Sequence, residues 1–295
     1  MKGVLHVKKW SITDFEKYLY SSLKMYVDKI DDVEWKEEIL YSVKAGGKRF
    51  RPALCFNAGL DLGVDDNLLY GIGCAVELIH TASLIHDDLP EIDNDDYRRG
   101  IPSHHKAFGQ GNAVIAADYT FFLAFKYISE LRNTELNNYF SDIAMDLVYG
   151  EYLDIKYENR NIQDLSMIED MYQLKTARLI QFPILSPAIL SGKDETHIHK
   201  LSEAGKILGI TFQIMDDIKG IEGKFEDIGK TPGKDTEGNK NTIVSLLGTV
   251  RARELVNAGK EHFFRIITEI KAIDGTDYIN LCNYLKETWS KLENR

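Results

Sequence analysis

The chain has 295 residues, of which 44% are hydrophobic and 28% are charged, and this composition is ordinary for a globular protein. Its formal net charge of −10 at pH 7 argues against nonspecific nucleic-acid binding, which depends on neutralising phosphates with lysine and arginine. The three cysteines are far apart and lack the spacing of a metal site, so we expect reduced thiols in a cytoplasmic protein.

Helical periodicity is the main signal along the chain. In the segment 15–27, apolar residues recur at every fourth position. Further helices are predicted at residues 69–85, 114–131, 141–155, 165–190, 198–218 and 242–260. No run has the alternating, β-branched pattern of a series of strands. The sequence therefore predicts an all-α protein with a single domain spanning residues 1–295.

No segment of the sequence is expected to span a membrane. The first residues, MKGVLHVKKW, lack the apolar region of a secretory signal. The longest apolar tract, residues 113–123, is interrupted by Asp118 and Thr120 and is too short to cross a bilayer.

The first cluster of chemical interest is LIHDDLPEIDNDDYRRG, residues 84–100. It contains six acidic side chains within ten residues, which is unfavourable unless cations compensate their charge. Carboxylate oxygens suit a hard ion such as Mg²⁺. On a regular helix Asp87 and Asp93 would lie about 120° apart, but Pro90 can distort the turn between them and allow them to share a metal. The alternative is a solvated acidic end of a helix.

A second acidic pair, Asp216 and Asp217, lies in FQIMDDIKG, residues 212–220. By itself such a pair is typical of a solvated helix end. Here, however, both acidic clusters follow an apolar helix and lead into a Gly-containing loop with basic residues. The repeated arrangement indicates two metal-binding sites that face each other.

Three basic segments supply candidate diphosphate ligands. GGKRFRP, residues 46–52, places basic side chains near the start of a helix, where anions bind favourably. KTARLI, residues 175–180, adds Lys175 and Thr176 within an apolar helix, and GKTPGKD, residues 229–235, adds two lysines in a Gly-containing loop. This loop does not fit the GxxxxGK[ST] pattern, which disfavours a nucleotide-hydrolysing protein.

Together with LIHTASLIHDDLP, these motifs resemble the trans-isoprenyl diphosphate synthases, also called polyprenyl synthetases, in order and spacing across about residues 46–247. The aspartate motif followed by RRG resembles the farnesyl and geranylgeranyl branch of that family. The resemblance implies long helices around a deep central cavity, a homodimer, and three Mg²⁺ ions per active site. It also implies a reaction in which isopentenyl diphosphate and an allylic diphosphate are condensed to a short-chain prenyl diphosphate.

The resemblance assigns a role to each motif residue. The expected Mg²⁺ ligands are Asp87, Asp88, Asp93 and Asp216. The expected contacts to the allylic diphosphate are Arg98, Lys175, Lys230 and Lys240. The expected isopentenyl diphosphate site is formed by Lys48, Arg51, His80 and Arg99. The expected catalytic residues are Asp87, Asp93, Asp216, Lys175, Thr176 and Gln213, of which Thr176 and Gln213 would face the allylic cation. Without the motif, His80 would more often be a core histidine.

Three positions depart from the family pattern. The second aspartate motif usually reads DDxxD, but Gly220 occupies its last position and removes a carboxylate. Ala177 replaces the usual glycine, and Glu151 stands where glutamine is common. Gly220 leaves open a non-catalytic, prenyltransferase-like subunit as an alternative. A class I terpene cyclase is disfavoured, because it would not need the isopentenyl diphosphate residues and would be expected to carry an Asn/Ser/Glu triad in place of the second aspartate pair.

Product length is expected to depend on Ala82 and Ser83, which precede the first aspartate by five and four residues. In the family, a bulky aromatic residue at these positions tends to stop chain growth early. Because both side chains are small, we expect geranylgeranyl diphosphate as the product, with farnesyl diphosphate as the alternative. The other interpretation of the small side chains is tight helix packing, with the floor of the cavity supplied by a neighbouring helix.

Overall fold

The computed structural model describes residues 9–222 and 240–293, and most of these residues are helical. Lys230 lies outside the described residues. The helices of the first half are α1 (Ile12–Val27), α2 (Val33–Lys44), α3 (Phe50–Leu62), α4 (Asp66–Asp87), α5 (His104–Phe108), α6 (Gln110–Glu130) and α7 (Thr134–Tyr157). Those of the second half are α8 (Leu165–Tyr172), α9 (Arg178–Leu190), α10 (Glu195–Glu222), α11 (Ile243–Asp274) and α12 (Ile279–Glu293).

This architecture confirms the predicted all-α, single-domain fold class. Every segment with helical periodicity is helical in the structure, although the segment 165–190 is divided. The described residues also contain one short antiparallel ladder, in which β1 (Tyr97–Arg98) pairs with β2 (Ile101–Pro102). The domain boundaries at residues 1 and 295 stay a prediction.

Side-chain caps explain where several helices begin. The Ser11, Asp32 and Asp65 side chains accept hydrogen bonds from backbone N–H groups in the first turns of α1, α2 and α4. Each cap satisfies a backbone donor that has no partner within its helix. At α11, Thr242 and Ser245 form a reciprocal capping box, which fixes the chain direction directly after Lys240.

Helix α4 is the central apolar element. By length and composition it could cross a membrane, with a mean hydropathy of 1.6 over its most apolar window. However, 78% of that window is buried inside the protein, where α4 packs against α3 and α6. Its apolar composition is therefore accounted for by a core helix. Polar residues interrupt the apolar run of α4, so α4 does not stand out as a long apolar tract in the sequence.

A π-helical turn, Gln173–Ala177, divides the predicted helix 165–190 into α8 and α9. Two glycines allow neighbouring helices to approach this turn closely. A Cβ atom at Gly150 of α7 would lie 2.2 Å from the backbone nitrogen of Lys175, and one at Gly209 of α10 would lie 2.3 Å from Cα of Ala177. π-turns often occur at functional sites, and this one carries Lys175 and Thr176 between α7 and α10.

Candidate active site

The turn after α4 brings two predicted metal ligands together. Helix α4 ends at Asp87, so Pro90 lies in a turn outside the helix. The backbone N–H of Asp93 donates a hydrogen bond of 2.8 Å to the carbonyl oxygen of Asp87. The angular separation expected for a continuous helix therefore does not apply, and the two residues share one turn. Their role as metal ligands stays a prediction.

The charges around Asp87 fit a divalent cation. Burial and the nearby carboxylates of Glu151 and Asp93 raise the pKa of Asp87 well above its ordinary value, although Lys175 opposes them. Such carboxylates repel one another until a cation binds. Within the described residues, no three His, Cys, Asp or Glu side chains form a ready-made metal site.

Lys175 and Lys240 converge on the same acidic region from different parts of the chain. The Nζ of Lys175 lies 2.5 Å from Asp154 and 2.7 Å from Glu151. The Nζ of Lys240 donates hydrogen bonds of 2.6 Å to Asp93 and 3.2 Å to Asp154. Burial works against both charged lysines, but these carboxylates outweigh it and raise the pKa of each lysine.

Asp154 is a site residue to which the sequence analysis gave no role. It is buried on α7, and its Oδ2 accepts hydrogen bonds from both Lys175 and Lys240. Burial alone would raise the pKa of Asp154, but the two lysines lower it to about 2. The available signal was its position in GEYLD, one helical turn after Glu151.

The two aspartates of the second motif have different environments. Asp216 is exposed on α10, whereas Asp217 is buried. The Asp217 carboxylate accepts hydrogen bonds from the Tyr172 hydroxyl and, at 2.9 Å, from the Gln213 amide. The Thr176 hydroxyl in turn donates to Oε1 of Gln213 at 2.5 Å. Thr176 and Gln213, predicted as a catalytic pair, are thus in direct contact, and Asp217 fixes the orientation of the Gln213 amide.

Asp88 and Arg98 form a second ion pair near the first motif. The Asp88 side chain is buried, and its Oδ1 accepts a 2.8 Å hydrogen bond from Nε of Arg98. Arg98 also donates to Oδ2 of Asp95 at 3.1 Å. Burial raises the pKa of Asp88 to about 6 even though Arg98 opposes that shift. In this structure Asp88 anchors Arg98, and its predicted role as a metal ligand stays untested.

The residues predicted for isopentenyl diphosphate lie close together around α3 and α4. Nη1 of Arg51 lies 3.1 Å from Nε2 of His80, and both side chains are half-buried. Arg99 donates to the buried carboxylate of Glu77 at 3.1 Å, and Lys48 is exposed. Arg49, from the same basic motif, is instead fully enclosed by protein.

Comparisons with known proteins identify the family of the chain. A sequence model of the Polyprenyl synthetase family matches residues 33–288. The chain belongs to the polyprenyl synthetase family. It is therefore a prenyltransferase, as the motifs predicted.

Relatives of both short-chain product classes are similar to the chain. Farnesyl diphosphate synthase of Bacillus subtilis (strain 168) is 38% identical over 267 residues, covering 87% of this chain and 90% of its own length. Geranylgeranyl pyrophosphate synthase 12, chloroplastic, of Arabidopsis thaliana is 36% identical over 263 residues, covering 82% of this chain and 72% of its own length.

The solved structure of a geranyltranstransferase from Thermotoga maritima superimposes with a TM-score of 0.83. It is 37% identical, and the match covers 96% of this chain and 99% of that one. These relatives support a short-chain prenyltransferase without distinguishing between the two products.

Proposed function

We propose that this protein is a Mg²⁺-dependent trans-prenyltransferase that condenses isopentenyl diphosphate with an allylic diphosphate. The observation that carries the proposal is the convergence of Lys175 and Lys240 on the acidic turn after α4. Alternating carboxylates and ammonium groups suit a complex in which metal ions and cationic side chains hold the same diphosphate.

The proposed reaction follows from the groups that these residues could bind, which are the allylic diphosphate and Mg²⁺. Arg98, Lys175 and Lys240 would bind the allylic diphosphate and stabilise the charge that develops on it as it leaves. Mg²⁺ held by the aspartates Asp87, Asp93 and Asp216 would, when bound, supply further positive charge to this leaving group. The proposal includes up to three Mg²⁺ ions in each active site.

Thr176 and Gln213, which are in contact, would provide oxygen atoms beside the developing allylic cation. The cation is attacked by the double bond of isopentenyl diphosphate, and a proton is then lost, with the bound pyrophosphate as the proposed acceptor. Holding the two substrates in one geometry supplies the entropic part of the rate gain.

A condensation assay tests this proposal. We expect product from isopentenyl diphosphate and geranyl diphosphate with Mg²⁺, measured by mass spectrometry, and complete loss of product with excess EDTA. Asp87→Ala and Asp216→Ala should each abolish turnover with little change in the thermal melting curve, because neither side chain lies in the apolar core. Asp142→Ala, which removes an exposed carboxylate of α7, is the control. Undiminished condensation by both active-site variants would contradict the assignment.

Geranylgeranyl diphosphate is the proposed product. Ala82 is fully buried on α4, whereas Ser83 is half-buried, so Ser83 has the more open surroundings of the two. With no aromatic side chain at either position, a twenty-carbon tail has fewer obstacles than beside a bulky ring. Replacing Ala82 or Ser83 by Phe should shift the product towards farnesyl diphosphate in a chromatographic assay. A wild-type protein that already stops at farnesyl diphosphate would place the floor of the cavity elsewhere.

The non-catalytic alternative rests on Gly220. Helix α10 continues through Gly220 to Glu222, and the Glu222 carboxylate pairs with Arg253. Glu222 therefore does not replace the missing carboxylate in this structure. Asp216 is the remaining second-motif candidate, and Gly220→Asp should leave activity equal or lower the Mg²⁺ requirement. A wild-type protein that condenses no primer at any Mg²⁺ concentration would favour the non-catalytic subunit.

We also propose that the protein is a homodimer and that it is located in the cytoplasm. Helices α6 and α7 expose large apolar side chains, including Phe122 at 74% and Met145 at 65% exposure. Exposed apolar side chains on neighbouring helices suit a protein–protein interface. Phe122→Lys should convert the dimer to a monomer in light scattering, whereas Val250→Lys, at an equally exposed position on α11, should not. A monomeric wild type would refute the dimer, and recovery in the membrane fraction of cells would refute the location.

A further inference from the structure

Glu77 is a buried carboxylate that joins the predicted isopentenyl diphosphate site to the rest of the fold. It lies on α4, one helical turn before His80, and only 2% of its surface is exposed. Its Oε1 accepts hydrogen bonds from two arginines, at 2.5 Å from Nη1 of Arg49 and at 3.1 Å from Nη2 of Arg99. A single carboxylate oxygen therefore receives donors from two separate basic motifs.

Arg49 ties Glu77 to the helices on its other side. Its guanidinium donates to Glu16 of α1 at 3.1 Å and to the carbonyl oxygen of Val43 of α2 at 2.9 Å. The residue is 2% exposed and has a positive φ of 46°, a conformation that non-glycine residues rarely adopt. Arg49 therefore cannot reach a ligand, and its contacts hold Glu77 in place.

Arg99 is held between Glu77 and the backbone of the GGKRFRP turn. A Cβ atom at Gly47 would lie 3.1 Å from Nε and 3.2 Å from Cζ of Arg99, so the guanidinium rests against this glycine. Gly47 has a φ of +130°. Arg99 itself has a φ of 55°, in the turn between β1 and β2, and this turn sends Arg98 to Asp88 and Arg99 to Glu77. The position of the Arg99 guanidinium is therefore set by contacts on two sides.

The surrounding charges explain why a carboxylate is needed here. Burial and the nearby Arg99 lower the pKa of Arg51 to about 10, although Glu77 opposes the shift. Burial likewise lowers the pKa of Arg99, and Glu77 is the carboxylate that counteracts it. Cations that lie this close repel one another unless a diphosphate or a protein carboxylate lies between them.

We propose that Glu77 is a positioning residue for isopentenyl diphosphate, which holds Arg99 in the orientation that grips the diphosphate while Arg49 holds Glu77. This inference rests on the proposed function, because it takes Arg99 as an isopentenyl diphosphate ligand. Glu77 touches neither substrate. Replacing Glu77 should therefore weaken the affinity for isopentenyl diphosphate without slowing the chemical step.

The test is steady-state kinetics of Glu77→Gln with each substrate varied in turn. Loss of one charge-assisted contact to Arg99 should raise KM for isopentenyl diphosphate by about 5- to 20-fold. KM for the allylic diphosphate and kcat at saturating isopentenyl diphosphate should change less than about twofold. Glu16→Gln is the matched control, since it removes the other carboxylate of Arg49 without touching Arg99, and it should leave all three constants unchanged.

Two further variants, Glu77→Asp and Arg99→Ala, distinguish between the ways in which the inference can fail. If Glu77→Gln does not fold, as judged by its thermal melting curve, the same kinetic criteria apply to Glu77→Asp, which keeps the buried negative charge but retracts the carboxylate from both arginines. A rise in KM for Arg99→Ala without a rise for the Glu77 variant overturns the positioning role alone. If Arg99→Ala itself leaves KM for isopentenyl diphosphate unchanged, the proposed substrate site is wrong. Equal rises for Glu16→Gln and Glu77→Gln would show a purely structural role and overturn the inference.

Discussion

Tyr172→Phe removes one oxygen atom that connects three parts of the candidate site. The Tyr172 hydroxyl donates to Oδ2 of Asp217 on α10 and accepts a 3.0 Å hydrogen bond from the backbone N–H of Ile243 at the start of α11. Asp217 in turn accepts from the amide of Gln213. The substitution leaves the aromatic ring in place, so any effect comes from the hydroxyl.

The expected loss follows from the two hydrogen bonds. A bond to a charged group contributes about 1.5–3 kcal/mol and a neutral one about 0.5–1.5 kcal/mol, so Tyr172→Phe should lower the free energy of unfolding by about 2–4 kcal/mol. With one anchor of Asp217 gone, the amide of Gln213 is held less firmly. Small displacements of catalytic groups reduce rates steeply, and we expect kcat to fall by roughly ten- to hundredfold.

Urea denaturation followed by circular dichroism measures the first quantity, and steady-state condensation measures the second. Tyr139→Phe is the matched control, because its ring packs against Phe182 and its hydroxyl has no hydrogen-bond partner among the described residues. Neutral surface changes usually alter the free energy of unfolding by no more than about 0.5 kcal/mol. If the free energies of unfolding of Tyr172→Phe and Tyr139→Phe agree within that range, and kcat of Tyr172→Phe is unaltered, the Tyr172 hydroxyl does not help to hold Gln213.

Two other variants test the packing and charge of the site. Asp154→Asn should destabilise the protein by about 1–3 kcal/mol, because two buried lysines lose a charged partner, whereas Asp142→Asn on the surface should have no measurable effect in the same urea titration. Gly209→Ala should destabilise by about 1–3 kcal/mol or more, since the new Cβ would overlap Ala177. Gly111→Ala, where a Cβ meets nothing within 4 Å, should be neutral or stabilising, and equal melting temperatures for the two glycine variants would refute the close approach.

The sequence was sufficient to predict the fold class and the family. Apolar periodicity detects long helices, and the first aspartate pair lies at the end of α4, as expected from the sequence. The second pair was expected at a helix end as well, but Asp216 and Asp217 lie within α10, which continues to Glu222. The division at Gln173–Ala177 could not, because a π-turn adds only one residue to a helical pattern and leaves the apolar composition unchanged. The predicted helix 69–85 ends close to Asp87, but the conformation of the following segment could not be predicted, since Pro90 permitted either a distorted helix or a turn.

The partners of the motif residues could not be predicted at all. Glu77, Asp154 and Tyr172 are ordinary helical residues in the sequence, and each acts on a side chain at least 20 positions away. Only the packing of helices brings such residues together. Asp217 shows the same limit, because adjacent aspartates on α10 have opposite burial and only the structure distinguishes the exposed one from the buried one.

Four cations of the site are neutralised by carboxylates. Lys175, Lys240, Arg98 and Arg99 each pair with at least one carboxylate, whereas Lys48 is exposed and can remain solvated, and Arg51 lies beside His80. A buried cation without a partner is strongly destabilising, so these carboxylates are needed before any diphosphate arrives. Under the proposed function, substrate binding would be an exchange of partners. Diphosphate oxygens would take over Lys240, and Asp93, which pairs with it, would become available to Mg²⁺. The same carboxylate would then neutralise a buried lysine in one state and hold metal in the other, which would account for the many like charges in one turn.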